Sequence, residues 1–272
     1  MFRLQGAKLL KSVLAQPNTL ISCRETHALA ALVGETKMAN WIFLGPPGVG
    51  KGTYAGRVAD LVGIPHISTG DLVRAEIKSG SPLAEKMKEI TSTGGLLPDA
   101  LILDILHKRF EEGKGNNETG FLLDGFPRTA AQAAELMKVT DIHLVVNLSL
   151  REDVLIEKCC GRRVCEHCGK SYNIADIYRK AGPEGPEIIM PPLNPKPECA
   201  DHLTHRADDT EEIVQKRLDI YNQEAGPVED YFRQTGVLAD FEITGGIPET
   251  KPVLLDFLHQ QLSLQSSRGS KQ

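Results

Sequence analysis

A glycine-rich segment, residues 45–53, has the spacing that most directly suggests chemistry. It reads Gly-Pro-Pro-Gly-Val-Gly-Lys-Gly-Thr and lies between a short apolar run and a helical pattern. Glycines leave backbone N–H groups free to surround an anion, and a helix N-terminus favours negative charge. The segment therefore predicts a phosphate-binding loop, with Lys51 between the β- and γ-phosphates of a nucleotide. Gly52 stands where this pattern usually has Ser or Thr, so Thr53 is the nearest hydroxyl for phosphate or Mg²⁺.

Asp124 ends a second apolar run, residues 121–123, which is typical of a parallel strand buried on both faces. Ligands of open α/β sheets bind at the carboxyl ends of the strands, where this carboxylate would suit a Mg²⁺ whose other ligands are waters and phosphate oxygens. Gly125 and Pro127 predict a turn that directs Arg128 to the same edge. The alternative is that Asp124 caps a helix and Arg128 is a surface charge, but the nearby phosphate loop favours the functional interpretation.

Five arginines distinguish this chain from a generic phosphate-loop protein. Each alone is typical of a solvated surface, yet four lie at element ends that should face one edge of the sheet. Phosphoryl transfer depends on such groups, because its catalysis is mainly positioning and neutralisation of negative charge. Two of them could clamp a second phosphate-bearing substrate. The five are Arg74, Arg128, Arg162, Arg206 and Arg217.

The elements that must position these residues alternate between strands and helices. This order predicts an α/β fold with a five-stranded, doubly wound parallel sheet. Residues 68–97 predict a helical insertion between strands. Residues 162–206 are rich in Gly and Pro and predict a small sheet-like flap.

Residues 1–37 differ in composition from the rest. No acidic residue precedes Glu25, and an amphipathic basic pattern includes Lys8 and Lys11. This predicts an organelle transit peptide outside the fold, with a native extension as the alternative. The folded domain is then 38–262, and residues 263–272 are expected to be a disordered tail.

Composition excludes several classes of protein. A net charge of −5 argues against a surface that coats nucleic acid. No apolar run approaches the roughly 20 residues of a membrane span. Six cysteines without a secretory signal suggest reduced thiols or a metal site.

Taken together, the motifs resemble the adenylate kinases of the long-lid type, organellar plant members among them, over residues 41–258. The motifs are residues 45–53, 67–74, 124–129, 161–163 and 206–209. The resemblance implies a nucleoside monophosphate kinase fold and the Mg²⁺-dependent reaction ATP + AMP = 2 ADP. It also implies that residues 68–97 bind AMP and residues 162–206 form a lid.

The resemblance also implies a role for individual residues. ATP would contact Gly48, Val49, Gly50, Lys51, Gly52, Thr53, Lys158, Arg162, Ser171 and Tyr172. AMP would contact Thr69, Arg74, Gly95, Leu96, Leu97, Gly125, Phe126, Pro127, Arg128, Gln132, Arg206 and Arg217. Asp124 would hold Mg²⁺ through water. The catalytic set would be Lys51, Arg128, Arg162, Arg206 and Arg217.

Two departures from the family pattern bear on the lid side. Lys158 stands where many members have an arginine that stacks on the adenine, so the base preference is open. Cys165, Cys168 and Cys199 suit a structural Zn²⁺ but lack a fourth cysteine. Either Asp201, His202 or His205 completes the site, or the lid holds without metal.

Alternatives remain at this stage. Uridylate/cytidylate kinases and GTP-using AMP kinases are near variants, and a GTPase-like switch is the other class. The switch would need an Asn-Lys-x-Asp motif, which the chain lacks. The expected partners are ATP, AMP and ADP, bound by a monomer without nucleic acid. The scarcity of serine before residue 37 favours the mitochondrion, with the chloroplast as the alternative.

Overall fold

The computed structural model describes residues 21–37, 39–81 and 84–269. The strands in these ranges are β1 (Asn40–Leu44), β2 (His66–Ser68), β3 (Phe121–Asp124), β4 (Leu144–Ser149), β5 (Arg162–Cys165), β6 (Ser171–Asn173), β7 (Ile177–Arg179), β8 (Ile188–Met190), β9 (Leu203–Thr204) and β10 (Leu238–Glu242). The α-helices are α1 (Ile21–Thr36), α2 (Lys51–Val62), α3 (Thr69–Ser79), α4 (Ala84–Ser92), α5 (Asp99–Gly115), α6 (Ala130–Val139), α7 (Glu152–Cys160), α8 (Glu211–Gln234) and α9 (Ile247–Gly269).

Five parallel strands form the central sheet in the order β10-β4-β1-β3-β2, which confirms the predicted fold class. The chain order reverses around β1, which pairs with β3 on one side and with β4 on the other. Phe43 of β1 is in register with Asp124 of β3. The phosphate loop and Asp124 therefore leave the sheet side by side, at the point where ligands of such sheets bind.

Alternation along β1 explains the two apolar layers of the molecule. Trp41 and Phe43 face one core cluster, and Ile42 and Leu44 face the other. Successive side chains of a strand point to opposite faces, so a strand with helices on both sides must be apolar throughout. The central strands thus hold the phosphate loop on a rigid, fully buried base.

The helical insertion carries a small core of its own. Val73 of α3, Met87 of α4 and Leu97 pack together against partly buried residues of α5. Ser68 caps α3, accepting a 3.3 Å hydrogen bond from the backbone N–H of Asp71.

Residues 162–206 contain two separate sheets rather than a single flap. Strands β6, β5 and β9 form a three-stranded antiparallel sheet, which we call the thiol sheet because its three cysteines cluster. Strands β7 and β8 form a two-stranded hairpin.

The described part of the N-terminal segment, which the sequence predicts as transit peptide, is helical and lies against the folded domain. Helix α1 packs against α9, and Leu29 and Val33 are buried in the main core. A sequence separation of more than 200 residues hides this contact from local patterns. Residues 1–20 of the predicted transit peptide lie outside the described residues.

The predicted end of the domain at residue 262 also differs from the structure. Helix α9 continues to Gly269, so residues 263–269 are helical rather than disordered. The hydroxyls of Ser263 and Ser267 donate hydrogen bonds to backbone carbonyls one turn earlier. These polar residues can therefore continue the helix. Across the described ranges, no helix has both the length and the apolar character that crossing a membrane requires.

Candidate active site

One large cleft, of about 1030 Å³, runs across the carboxyl edge of the central sheet. Its volume is at the upper limit of ordinary small-ligand sites, which leaves room for more than one nucleotide. It is lined by Asp124 and by every residue predicted for the nucleotide sites except Val49. The side chain of Val49 is buried in the core, so only the backbone of this residue is available to the loop.

The phosphate loop needs its glycines because neighbouring backbone approaches it closely. Gly45 and Gly48 have φ angles of 138° and 84°. A Cβ on Gly45 would lie 2.3 Å from the carbonyl oxygen of Leu148, and one on Gly48 would lie 2.6 Å from that of Leu155. Any other residue at these positions would push the loop off β4 and α7.

Lys51 is held inside this loop by two backbone carbonyls. Its Nζ donates to Gly45 O at 2.7 Å and to Pro46 O at 3.0 Å. Burial lowers the pKa of Lys51 to about 8; Asp124 opposes the shift and nearby arginines reinforce it. Because a buried cation among other cations is poorly stabilised, an anion placed beside Lys51 would be strongly favoured.

Asp124 is buried at the end of β3, and its surroundings explain the Gly at position 52. A Cβ on Gly52 would lie only 3.0 Å from Asp124 Oδ2. His66 Nε2 lies 3.5 Å from the same oxygen and has no hydrogen-bond partner within the described chain. Sequence reasoning missed His66, because the pairing of β2 with β3 brings it to Asp124.

Arg128 lies at the acceptor side of the cleft, where the helical insertion forms the wall. Its Nε donates to Gly125 O at 2.9 Å, and its backbone N–H donates to Gln132 Oε1 at 2.7 Å. Gln132 also donates through Nε2 to Asp99 Oδ1 at 2.6 Å. The amide predicted to contact AMP is therefore already engaged by the protein and holds the Arg128 turn.

The remaining arginines differ in how they are paired. Asp209 is fully buried and accepts two hydrogen bonds from Arg162, which raises the pKa of Arg162 despite burial. Arg217 Nη1 donates to Asp208 Oδ2 at 3.1 Å. The backbone carbonyl of Arg206 accepts a hydrogen bond from the N–H of Asp209 at 3.1 Å, but its guanidinium makes no hydrogen bond or ion pair with any described residue. Burial, and then the charge of Arg162, lowers the pKa of Arg206 to about 10.

Arg74, on α3, also has a carboxylate partner, Asp71. Two guanidinium groups of the cluster, those of Arg128 and Arg206, thus form no ion pair with a described carboxylate, and that of Arg128 donates to the carbonyl oxygen of Gly125.

Lys158 crosses from α7 to the phosphate loop instead of presenting a flat surface. Its Nζ donates to Val49 O at 2.9 Å, and burial lowers its pKa to about 8. Ser171 and Tyr172 of β6 line the same part of the cleft. The Tyr172 hydroxyl lies 4.0 Å from Cys168 Sγ. Tyr172 therefore lies between the cleft and the cysteine cluster of the thiol sheet.

The sulfur atoms of Cys165, Cys168 and Cys199 all lie within 4.8 Å of one another. Cys168 and Cys199 are 3.5 Å apart, and a hydrogen bond from the Lys170 backbone lowers the pKa of Cys168 to about 7. The ligand atoms of the predicted fourth ligands do not join this group. Those candidates were Asp201, His202 and His205.

Comparisons with known proteins agree with this geometry. A sequence model of the family described as "Adenylate kinase" matches residues 43–237. "Adenylate kinase 1, chloroplastic" of Arabidopsis thaliana is 54% identical over 218 residues, which are 80% of this chain and 77% of that protein. "Probable adenylate kinase 1, chloroplastic" of Oryza sativa subsp. japonica is 53% identical over 227 residues, covering 84% and 78%. "Adenylate kinase" of Solanum tuberosum is 54% identical over 225 residues, covering 83% and 78%.

Proposed function

The chain belongs to the adenylate kinase family and catalyses reversible phosphoryl transfer, ATP + AMP = 2 ADP; on this premise we propose which of its residues hold each substrate. The observation that carries the proposal is the register between Phe43 and Asp124. It brings the phosphate loop beside a buried carboxylate, and the arginines converge on the same cleft. Phosphoryl transfer needs this combination, because positioned cations stabilise the charge that spreads over the transferred group.

The donor phosphates lie on the loop formed by residues 48–53. Backbone N–H groups and the N-terminus of α2 supply the anion site, and Lys51 supplies the cation. Lys158 supports the loop from behind through Val49. Ser171 and Tyr172 face the donor from the thiol sheet.

The carboxylate of Asp124 fits a Mg²⁺ site that it contacts through water. It is buried, ends a central strand and faces the phosphate loop, and hard oxygen ligands are what Mg²⁺ prefers. When bound, the ion would neutralise phosphate charge and hold the donor phosphates in position. Gly52 leaves the space beside Asp124 open.

The acceptor, AMP, lies against the helical insertion of residues 68–97 and the turn that follows Asp124. Arg74 and Arg128 clamp its phosphate, and Thr69, Gly95, Leu96, Leu97 and residues 125–127 surround the rest. Gln132 acts on AMP indirectly, by fixing the backbone of Arg128. Arg162, Arg206 and Arg217 then neutralise the transferred group between the two substrates.

A steady-state assay tests the assignment of substrates and sites. Wild-type protein should use ATP with AMP in preference to UMP or CMP as acceptor, or GTP as donor. Arg128→Ala should raise the KM for AMP at least tenfold while changing the KM for ATP less than threefold, since a charge-assisted clamp contributes about 1.5–3 kcal/mol. An equal rise in both KM values would place Arg128 at a shared or purely structural position.

The thiol sheet would hold a structural Zn²⁺ through Cys165, Cys168 and Cys199. Three thiols within 4.8 Å of one another, one of them readily ionised, fit three positions of a tetrahedral site. The ion would stabilise the sheet without contacting phosphate. Elemental analysis of protein purified without chelator should find about one zinc per chain, lost in Cys199→Ser; protein with three free thiols and no zinc would contradict the site.

The N-terminal segment would direct the protein to an organelle, and the names of two relatives favour the chloroplast over the mitochondrion. Because α1 packs on the core, processing should remove only residues before this helix. A reporter fused to residues 1–36 should enter plastids, and mass spectrometry of the imported chain should locate the new N-terminus at or before Ile21. Accumulation in mitochondria would instead support the other organelle.

The functional unit would be a single chain, since one copy already brings the predicted donor, acceptor and lid residues, except Val49, to one cleft. Light scattering at working concentration should give a mass near 29.7 kDa or less after processing.

A further inference from the structure

The hairpin formed by β7 and β8 belongs to the main core, although it lies inside the segment predicted as a lid. Ile177, Ile188 and Met190 are buried within the same apolar cluster as Trp41 and Phe43 of the central sheet. No described residue of the thiol sheet is part of any apolar cluster of the core. The two halves of the predicted lid are therefore attached to the molecule in different ways.

Arg151, at the start of α7, fastens the hairpin from below. Only 5% of its side chain is exposed, and its Nη1 donates to the carbonyl oxygens of Lys180 at 2.8 Å and Pro186 at 2.6 Å. Its other nitrogens form a two-point pair with Asp153. A buried arginine that bonds backbone carbonyls across a turn fixes that turn, because moving the hairpin would leave the Nη1 donor and the two carbonyls without partners.

The turn of the hairpin is shaped to receive this arginine. Gly185 has a φ of 140°, and a Cβ there would lie 3.4 Å from Arg151 Cδ. The surface of the hairpin is tied to the same helix by Arg179, which pairs with Glu157 at 2.7 Å.

Hydrogen bonds mark where the core-bound part begins and ends. Asn173 Nδ2 donates to Lys158 O at 2.6 Å, and the backbone N–H of Ile174 donates to Gly161 O at 2.9 Å. On the returning chain, the backbone N–H of Leu193 donates to Asn173 O at 2.8 Å. Residues 173–193 are thus joined to the end of α7 at Asn173, the last residue of β6, and the rest of the thiol sheet lies beyond this junction.

The same hairpin forms one wall of the cleft, on the side of the phosphate loop. Ile177, Met190 and Pro191 line the cleft together with Lys158. Pro191 also lies close to Gly246, just before α9, where a Cβ would lie 3.5 Å from the proline Cδ. The apolar side chains of Ile177, Met190 and Pro191 suit an aromatic base, whose faces gain from apolar contact.

We propose that residues 173–193 are a fixed wall for the base of the donor nucleotide, and that only residues 162–172 and 194–206 move as the lid. The inference rests on the proposed placement of the donor phosphates on the loop. It makes Arg151 a positioning residue for the donor, acting through the hairpin without touching substrate. The donor base then binds to a preformed surface, and closure of the thiol sheet adds only contacts to phosphate.

Two variants separate this role from general stability. Arg151→Lys keeps the charge but loses the multiple hydrogen bonds, and Arg233→Lys makes the same exchange at an exposed arginine of α8 that pairs with Asp230. Arg151→Lys should raise the KM for ATP about tenfold and leave the KM for AMP within twofold, while Arg233→Lys leaves both unchanged. Equal increases in the two KM values for Arg151→Lys would contradict the proposal that the hairpin positions the donor base.

Inorganic tripolyphosphate, which has no base, distinguishes the wall from the phosphate loop. It should compete with ATP equally well in the wild type and in Arg151→Lys, since it needs the loop alone. A parallel loss of tripolyphosphate and ATP affinity in the variant would show a general distortion and overturn the wall. Absence of competition in the wild type would contradict the loop assignment, and the wall with it.

Hydrogen exchange tests the division of the lid without any substitution. Amides of residues 177–190 should exchange slowly in the free protein and change little when ADP saturates it. Amides of 163–171 and 199–204 should exchange faster in the free protein and slow with ADP. Exchange of 177–190 that matches the thiol sheet in both states would show one moving unit and overturn the proposal.

Discussion

The phosphate loop and the thiol sheet bring cations to the same cleft, but they are supported in opposite ways. The loop lies directly on the core, because a side chain at Gly45 or Gly48 would collide with the backbone of Leu148 or Leu155. The thiol sheet places no described residue in the core clusters and is held by its cysteines, its strand pairing and the contact of Arg162 with Asp209.

Under the proposed assignment, this difference divides catalysis into a rigid part and a movable part. Donors that are fixed before the reaction cost no reorganisation when charge develops, which suits the loop and Lys51. A sheet with little apolar burial can open and close at small free-energy cost, which suits groups needed only around bound substrate. Changes in the loop should therefore affect chemistry, and changes in the thiol sheet should affect closure.

The largest effect is expected from Lys51→Met. Turnover should fall about 10³-fold or more, because the cation proposed to bridge the phosphates is lost while the loop backbone remains. The free energy of unfolding should stay within about 1 kcal/mol of wild type, since a buried charge is removed along with its two hydrogen bonds. The measurements are kcat and a urea unfolding curve. A variant that keeps a third of the activity would refute the role of Lys51.

The free energy of unfolding should respond more to a truncation in the main core than to one in the thiol sheet. Leu29→Ala removes a fully buried side chain of α1 and should lower the free energy of unfolding by about 2–5 kcal/mol. Val164→Ala, on the half-buried strand β5, should cost less than about 1 kcal/mol in the same urea experiment, because its surroundings open locally. If Leu29→Ala left the free energy of unfolding unchanged, α1 would lie outside the folded unit, and the domain would begin after residue 37 as the sequence predicts.

Arg206→Ala tests the movable part. Arg206 has no carboxylate partner among the described residues, so its charge is available to the transferred phosphate. The variant should lower kcat about 10²-fold and change either KM by less than threefold, as expected for a contact made mainly in the closed state. Arg163→Ala is the control, since that guanidinium bonds the carbonyls of Cys160 and Arg162 outside the cleft. A pure KM defect would remove Arg206 from the catalytic set.

Local motifs were predictable from sequence, and contacts between distant segments were not. The phosphate loop and Asp124 follow from a run of adjacent residues and a strand end. His66 meets Asp124 only through the pairing of β2 with β3, and α1 meets α9 across most of the chain. Arg151 reads as an ordinary residue before a helix, yet its partners lie about 30 positions later. A glycine- and proline-rich composition suggested one flap, because composition alone does not show which strands join the core.

The smallest effect concerns Lys158, which lies where the two regions meet. Its pKa is about 8 in the folded protein and 10.5 in an unperturbed lysine, and burial is the cause. Between these values the unfolded chain binds more protons than the folded one, so the contribution of Lys158 to stability rises with pH in this window. Below pH 8 the amine is protonated in both states, and the full cost of burying the charge remains.

Lys158→Met should remove this pH dependence. The free energy of unfolding of the wild type, minus that of the variant, should rise by about 1–2 kcal/mol from pH 7.5 to 10.5, since a half-buried amine shows only part of the shift in stability. Lys216→Met, at an exposed position of α8, is the matched control and should keep the wild-type slope. Urea unfolding at five or six pH values measures all three proteins. A difference that falls with pH, or an equal slope in Lys158→Met and wild type, would show that the amine remains hydrated and that Lys158 does not bind the loop through Val49.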